Sequence, residues 1–367
     1  MFMEQLDWVN WKKLSDKVKS SVFQQLLLYY VDPMIEISDI RLKTFELYGI
    51  KCRTFELELD GETFVFIPGN KEAILGWDLG AEGLRSHELV GFDSQDMDTM
   101  TFKTTLRHDQ IEQAAQWQEA EESYDLSTLE GISLYINDHT STLRRRAVLP
   151  MLVQKFALPA GTQILGIVDT VTGAFRGDVE AFSRFEQEVC DALFPALSAQ
   201  ESLVWEFPKT LHKKNSHYLE FVPTTDSYLV YSSRDCTHQG LKKTIAQKGF
   251  ELLSEDQWEF AVGAGTRRLF RWGNELLVPH NASGQKTLDK INGPNMFGLV
   301  IDSHINRYEL TSQRTVLKLE RQRPKHTLIE NVLPLSTYYQ SDQEVAEDQL
   351  LSPDHFLYRK AIVIDYR

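Results

Sequence analysis

The sequence predicts an α+β protein of short antiparallel sheets, few helices and long loops. Three observations carry that expectation: an apolar three-and-four spacing over residues 8–30, a succession of β-rich runs between 44 and 67, and a short, fully signalled helix starting at Ser254.

Trp8, Trp11, Leu14, Val18, Val22, Leu26 and Tyr30 fall on one helical stripe that ends before Asp32-Pro33, so a single amphipathic helix is expected there, with a surface to cover. Runs at 44–48, 54–59 and 63–67 are rich in aromatic and β-branched residues, and Asp60-Gly61 between the last two is a hairpin turn signal. Residues 93–130 turn polar and acidic and read as an exposed helix or insertion. After it, 143–153, 163–171, 179–193 and 218–231 alternate strand-like and helix-like stretches. The expected division is therefore 1–58, an N-terminal helix with leading strands, and 59–367, a main domain carrying the 93–130 insertion.

Ser254 is placed to cap a helix with Gln257 reaching back, and Glu255 and Asp256 set negative charge in the first turn where the helix dipole favours it. Trp258, Ala261 and Val262 share one face, and Gly263 and Gly265 end the helix after about two turns. Phe270 and Trp272 flank Arg271 before the Gly273-Asn274 turn, which reads as a loop packed on a core. These residues read as packing, with no nucleophile or base among them.

In this order the motifs resemble the formylglycine-generating enzyme, or sulfatase-modifying factor, family, whose fold is related to the C-type lectins. The family's Leu-Pro-Thr-Glu-x-Glu-Trp-Glu helix is similar to residues 253–259. Its aromatic-Pro-Trp-Gly turn is similar to Phe270-Arg271-Trp272-Gly273, with Arg271 in the proline's place, and its Asn-x-aromatic-Gly-Leu step to residues 295–299. Its Gly-Asn-x-Trp-Glu-Trp segment resembles Ile305-Asn306-Arg307-Tyr308-Glu309-Leu310, with isoleucine, tyrosine and leucine substituted. Phe64-Val65-Phe66-Ile67-Pro68-Gly69 with Gly76 is similar to the opening strand and turn, and 356–364 to the closing strand, so the resemblance spans 60–367.

The resemblance implies where chemistry would sit. Oxidising members hold Cu(I) on two cysteines downstream of the Asn-x-Trp-Glu segment, and soft thiolates suit that ion. Here Cys52, Cys190 and Cys236 all precede the Ser254 helix and none follows Asn306, so copper is not expected. An odd, widely spaced set without Cys-x-x-Cys reads as reduced, buried thiols. The related thiohistidine-forming sulfoxide synthases take iron on His-x3-His-x-Glu, whereas His212 and His217, the closest pair here, are five apart and expected at the surface. Structural calcium is implied at Asn281, Asn306 and Glu309, although a hard cation takes about six to eight oxygens. The competing reading has Asn306 capping a turn and Glu309 paired with Arg307 or Arg314.

A formal net charge of −14 argues against a nucleic-acid surface, and the one basic run, residues 144–146, reads as a solvated strand edge. The first fourteen residues contain no apolar h-region, and the apolar run 26–31 is too short to span a bilayer, so a cytoplasmic protein without membrane contact is expected. Two functions follow. The first is a non-oxidising binding module for a peptide, protein or small-molecule ligand; the second is an enzyme with a rebuilt site using His355, Tyr358 and Arg359 near the closing strand, where family members place their substrate groove. Binding is favoured, because the framework motifs persist while the reactive thiols are missing.

Overall fold

The computed structural model describes residues 2–82, 84, 124–198, 200–201, 204–222, 225–274, 293–301, 307–320 and 327–365. Two units emerge from the contacts: unit 1 takes Met1–Ala157, Lys248–Glu344 and Arg359–Arg367, and unit 2 takes Leu158–Gln247 and Val345–Tyr358. The expected boundary at 58/59 falls within a strand, Ile50–Leu59, that pairs across the Asp60-Gly61 turn with Glu62–Ile67. The expected acidic insertion lies outside the described residues over 93–123.

After a short helical turn at Phe2–Gln5, residues 8–30 form two helices where one was predicted. Helix α1 (Trp8–Trp11) is capped by Asp7, and α2 (Asp16–Tyr30) by Ser15, whose hydroxyl accepts from the Val18 N–H. A serine–aspartate start signal inside the apolar stripe interrupts it, since a capping side chain offers the backbone an alternative to continuing the helix. The helices bury aromatics on a sheet: Trp11 lies against Phe66 at 4.8 Å between ring centroids and donates its indole N–H to the Arg53 carbonyl, while Phe23 stacks on Phe55 at 4.1 Å.

That sheet starts as a meander of β1 (Ile37–Leu47), β2 (Ile50–Leu59) and β3 (Glu62–Ile67). Both two-residue turns have positive φ throughout, 49° and 83° at Tyr48-Gly49 and 49° and 76° at Asp60-Gly61, as the twist of a tight hairpin demands. Strand β4 (Asn70–Leu75) and helix α3 (Leu129–Asp138) precede β5 (Arg144–Val148), which pairs with β4, and β6 (Met151–Gln154), which pairs with β3.

Unit 2 opens with β7 (Leu158–Pro159), β8 (Thr162–Asp169) and β9 (Phe175–Gly177), then α4 (Val179–Phe182) and α5 (Glu186–Leu193). Next come β10 (Thr210–Lys213), β11 (His217–Val222), β12 (Ser227–Ser233) and α6 (His238–Ala246). Its sheet runs β10-β11-β12-β8-β9, antiparallel throughout. Phe182, Phe185, Val189 and Leu193 from the two helices bury one face against Val168, Leu219, Tyr228 and Val230.

Back in unit 1, β13 (Glu251–Leu252) leads into the expected helix, α7 (Glu255–Gly263), with both halves of the Ser254–Gln257 capping box formed. Its left-handed C-cap is Ala264 rather than a glycine; Gly263 instead allows close approach, since a Cβ there would lie 2.7 Å from the Thr337 methyl. Strands β14 (Tyr308–Leu310) and β15 (Leu317–Lys318) pair with each other, and α8 (Leu328–Val332) follows. Strand β16 (Phe356–Tyr358) returns to unit 2 to pair with β7, and β17 (Lys360–Val363) completes unit 1's six-stranded sheet, in the order β1-β2-β3-β6-β17-β13. The class is α+β. No helix among the described residues is long and apolar enough to cross a membrane.

Candidate functional site

The motif residues of unit 1 converge, and they do so by tying backbone together. The buried Asn295 amide donates to the Ala261 and Val262 carbonyls at 2.7 and 3.1 Å, satisfying the end of α7, while its oxygen accepts from the Phe297 and Leu299 N–H groups, both at 3.0 Å. Gly298, with φ at 95°, is required there because a Cβ would sit 2.8 Å from the Phe45 ring. Arg271 is buried and donates to the Ile301 carbonyl at 2.7 Å.

Glu309 and Arg359 are brought together. Arg359 Nε donates to Glu309 Oε1 at 2.7 Å, both side chains are buried, and the remaining guanidinium nitrogens donate to the carbonyls of Gln154, Lys155 and Val300. Arg359 therefore joins β14, β6 and the closing segment. The partner of Glu309 is Arg359, not Arg307 or Arg314. The Arg359 guanidinium occupies Glu309 Oε1, while Glu309 Oε2 is buried with no hydrogen-bond partner among the described residues. Asn281 and Asn306 lie outside the described residues. The two other candidates belong to unit 2: Tyr358 is buried with its hydroxyl donating to the Thr162 carbonyl at 3.1 Å, and His355 sits in a turn with its N–H donating to the Ser352 carbonyl.

A charge cluster on α7 was missed in the sequence. Arg144, expected in a solvated strand edge, bonds Asp256 at 2.7 Å and Glu259 at 3.1 Å; Lys318 reaches Glu259 at 2.8 Å and Glu255 at 3.0 Å, and Arg146 reaches Asp256 at 3.2 Å. Three cations face three carboxylates, leaving no net charge to attract a ligand. The available signal was the i, i+4 pair Glu255 and Glu259 beside the buried Trp258, Phe260, Ala261 and Val262, since a buried carboxylate demands a cation. Burial pushes the Glu255 carboxyl up, but Lys318, the Gln340 amide and Arg144 outweigh it and hold it below its usual 4.5. A carboxylate depressed in the folded state contributes stability that is present above the unfolded value and lost as pH falls through the folded one. The melting temperature is expected to drop as pH is lowered from 4.5, and Lys318→Met is expected to flatten that drop; thermal melts across the window check it.

The three cysteines are free thiols. Burial pushes Cys52 up to about 12 and, with Asp235, Cys236 up to about 11, while burial, Glu186 and Asp191 raise Cys190. Maleimide labelling of the folded protein at neutral pH is expected to reach half-buried Cys190 and Cys236 first, with Cys52 modified only on unfolding; peptide mapping reads the order. Of the two histidines expected at the surface, His217 is buried on the Phe185 ring at 4.7 Å, and burial pushes its pKa down, while His212 is half-buried with Nδ1 3.4 Å from Asp354.

Among the described residues of unit 1, a small depression is lined by Val262, Ala264, Thr266, Arg271, Asn295 and Met296 among others. Unit 2 has a different feature. Phe194, at the end of α5, lies 6.3 Å from Phe207 between centroids, and Phe207 lies 6.3 Å from Phe221 and 6.2 Å from Tyr228. This ridge runs from the core to the surface: Tyr228 is buried, while Phe194, Phe207 and the neighbouring Trp205 remain 39%, 36% and 38% exposed, and Val204 79%. Its backbone is tethered, with Tyr228 donating its hydroxyl to the Pro208 carbonyl at 2.5 Å and Phe221 its N–H to the Lys209 carbonyl at 2.9 Å. Such side chains combine large apolar area with few rotatable bonds, which suits a recognition surface.

A model of a profilin-like domain of unknown function matches residues 163–232, the stretch of unit 2 that holds β8 to β12 with α4 and α5. No curated protein and no solved structure matches the chain. None of the motifs that resemble the formylglycine-generating enzymes falls within 163–232.

Proposed function

We propose that the protein is a binding module in which unit 1 is a non-oxidising framework similar to the formylglycine-generating enzymes and C-type lectins, and unit 2 is the ligand-binding part. The framework reading is supported by the motifs themselves. Segments far apart in sequence are joined: the Asn295 bonds tie the end of α7 to 295–299, and the Glu309–Arg359 pair ties 308–310 to the closing segment. The binding reading is carried by the aromatic ridge: Phe194, Trp205 and Phe207 stand open on tethered backbone, where their apolar area is available to a peptide or protein. Enzyme chemistry with Arg359 is disfavoured, because its donors are spent on the frame.

The test is a selection of displayed peptides on the immobilised protein beside the Trp205→Ala/Phe207→Ala double variant, whose folding is confirmed by its melting curve. A consensus enriched on the wild type and lost on the variant supports the reading. Absence of enrichment, or equal enrichment on both, contradicts it. Formation of formylglycine from a sulfatase peptide with Cu(I) and oxygen would equally remove the non-oxidising part.

A further inference from the structure

We infer that the open edge of β10 takes an extended peptide carrying an apolar side chain and, two residues along, a carboxylate, bound by strand addition to the unit 2 sheet. The inference rests on the reading of unit 2 as the binding part. Strand β10 ends its sheet, paired only with β11 among the described residues. The bond from the Phe221 N–H to the Lys209 carbonyl and the Leu211–Leu219 and Lys213–His217 pairings fix the phase. Odd-numbered residues exchange bonds with β11, so the N–H and C=O groups of Thr210 and His212 point to the open side. An incoming strand finds two donors and two acceptors already in extended geometry.

The side chains along that edge define the guest. Leu211 packs against the core that includes Phe182 and Tyr228, and Phe221, opposite Lys209, packs there too, so Lys209, Leu211 and Lys213 share the face on which Phe207 joins the ridge. Lys213 is already neutralised by Glu188 at 2.6 Å, whereas Lys209 is exposed and has no carboxylate partner among the described residues. In a chain of net charge −14 this cation, between Phe207 and Leu211, selects an acidic residue from a guest whose neighbours on the same face are apolar.

The probe is a fluorescein-labelled Thr-Phe-Thr-Glu-Thr-Phe-Thr peptide, whose palindromic order presents the same side chains in either strand direction; its counterpart carries lysine in place of glutamate. Anisotropy is expected to show saturable binding of the acidic probe and about tenfold weaker binding both of the lysine probe and by Lys209→Glu protein. Thr210→Pro removes an outward N–H without touching the β10–β11 bonds, and is expected to abolish binding while Thr210→Val retains it. Failure of the wild type to bind the acidic probe, equal affinity for both probes, or wild-type binding by Thr210→Pro overturns the inference. If a displayed-peptide consensus still depends on Trp205 and Phe207 in that case, the ridge stands as the binding part without strand addition; if neither assay shows binding, both readings fall.

Discussion

Glu309→Ala is expected to remove about 3–5 kcal/mol of unfolding free energy, because it leaves the Arg359 guanidinium buried without its counter-charge. An exposed ion pair is worth at most about 1 kcal/mol, and the difference is burial: neither Glu309 nor Arg359 can turn to water when its partner is lost. The converse test separates the pair's worth from the penalty of breaking it. The double replacement Glu309→Leu/Arg359→Met is expected to be less damaging than the sum of its single variants, since it leaves no lone charge behind. Urea denaturation of the three variants measures this, and a Glu309→Ala loss under about 1 kcal/mol would show that the pair does not hold the framework.

Asn295→Ala is expected to be of similar size, about 3–6 kcal/mol, for a different reason. One amide satisfies four buried backbone groups, the carbonyls of Ala261 and Val262 and the N–H groups of Phe297 and Leu299, and each group left unpaired costs about 1–3 kcal/mol before relaxation. Asn295→Asp keeps the acceptor but replaces the two donors with a second oxygen facing carbonyls, so it is expected to be no milder. Against a total of about 5–15 kcal/mol, either loss is a large share of the molecule's stability. A wild-type denaturation midpoint in Asn295→Ala would contradict this role.

What the sequence made legible was local. The capping box of α7 and the Asp60-Gly61 hairpin are written in neighbouring residues, and both stand in the structure as expected. The same local logic, applied over too long a window, merged α1 and α2 by weighing the apolar stripe above the Ser15 cap. Non-local facts were hidden. The partner of Glu309 lies fifty residues away, where no spacing rule reaches, and unit 2 is closed by the β7–β16 pairing of segments almost two hundred residues apart. The ridge could not be read either, since composition does not distinguish the buried Tyr228 from the open Phe207 beside it. Arg144 illustrates the same limit: in sequence it is one of three arginines in a row, and only folding sets it beside Asp256 and Glu259.

The working surface is tested most directly by hydrogen–deuterium exchange on the full chain, with and without the tightest peptide from the displayed selection. Protection concentrated on residues 204–213 of unit 2 is the expected result. Protection centred instead on α7 or on the β14 and β17 segments of unit 1, with unit 2 unchanged, would place the binding function on the wrong unit.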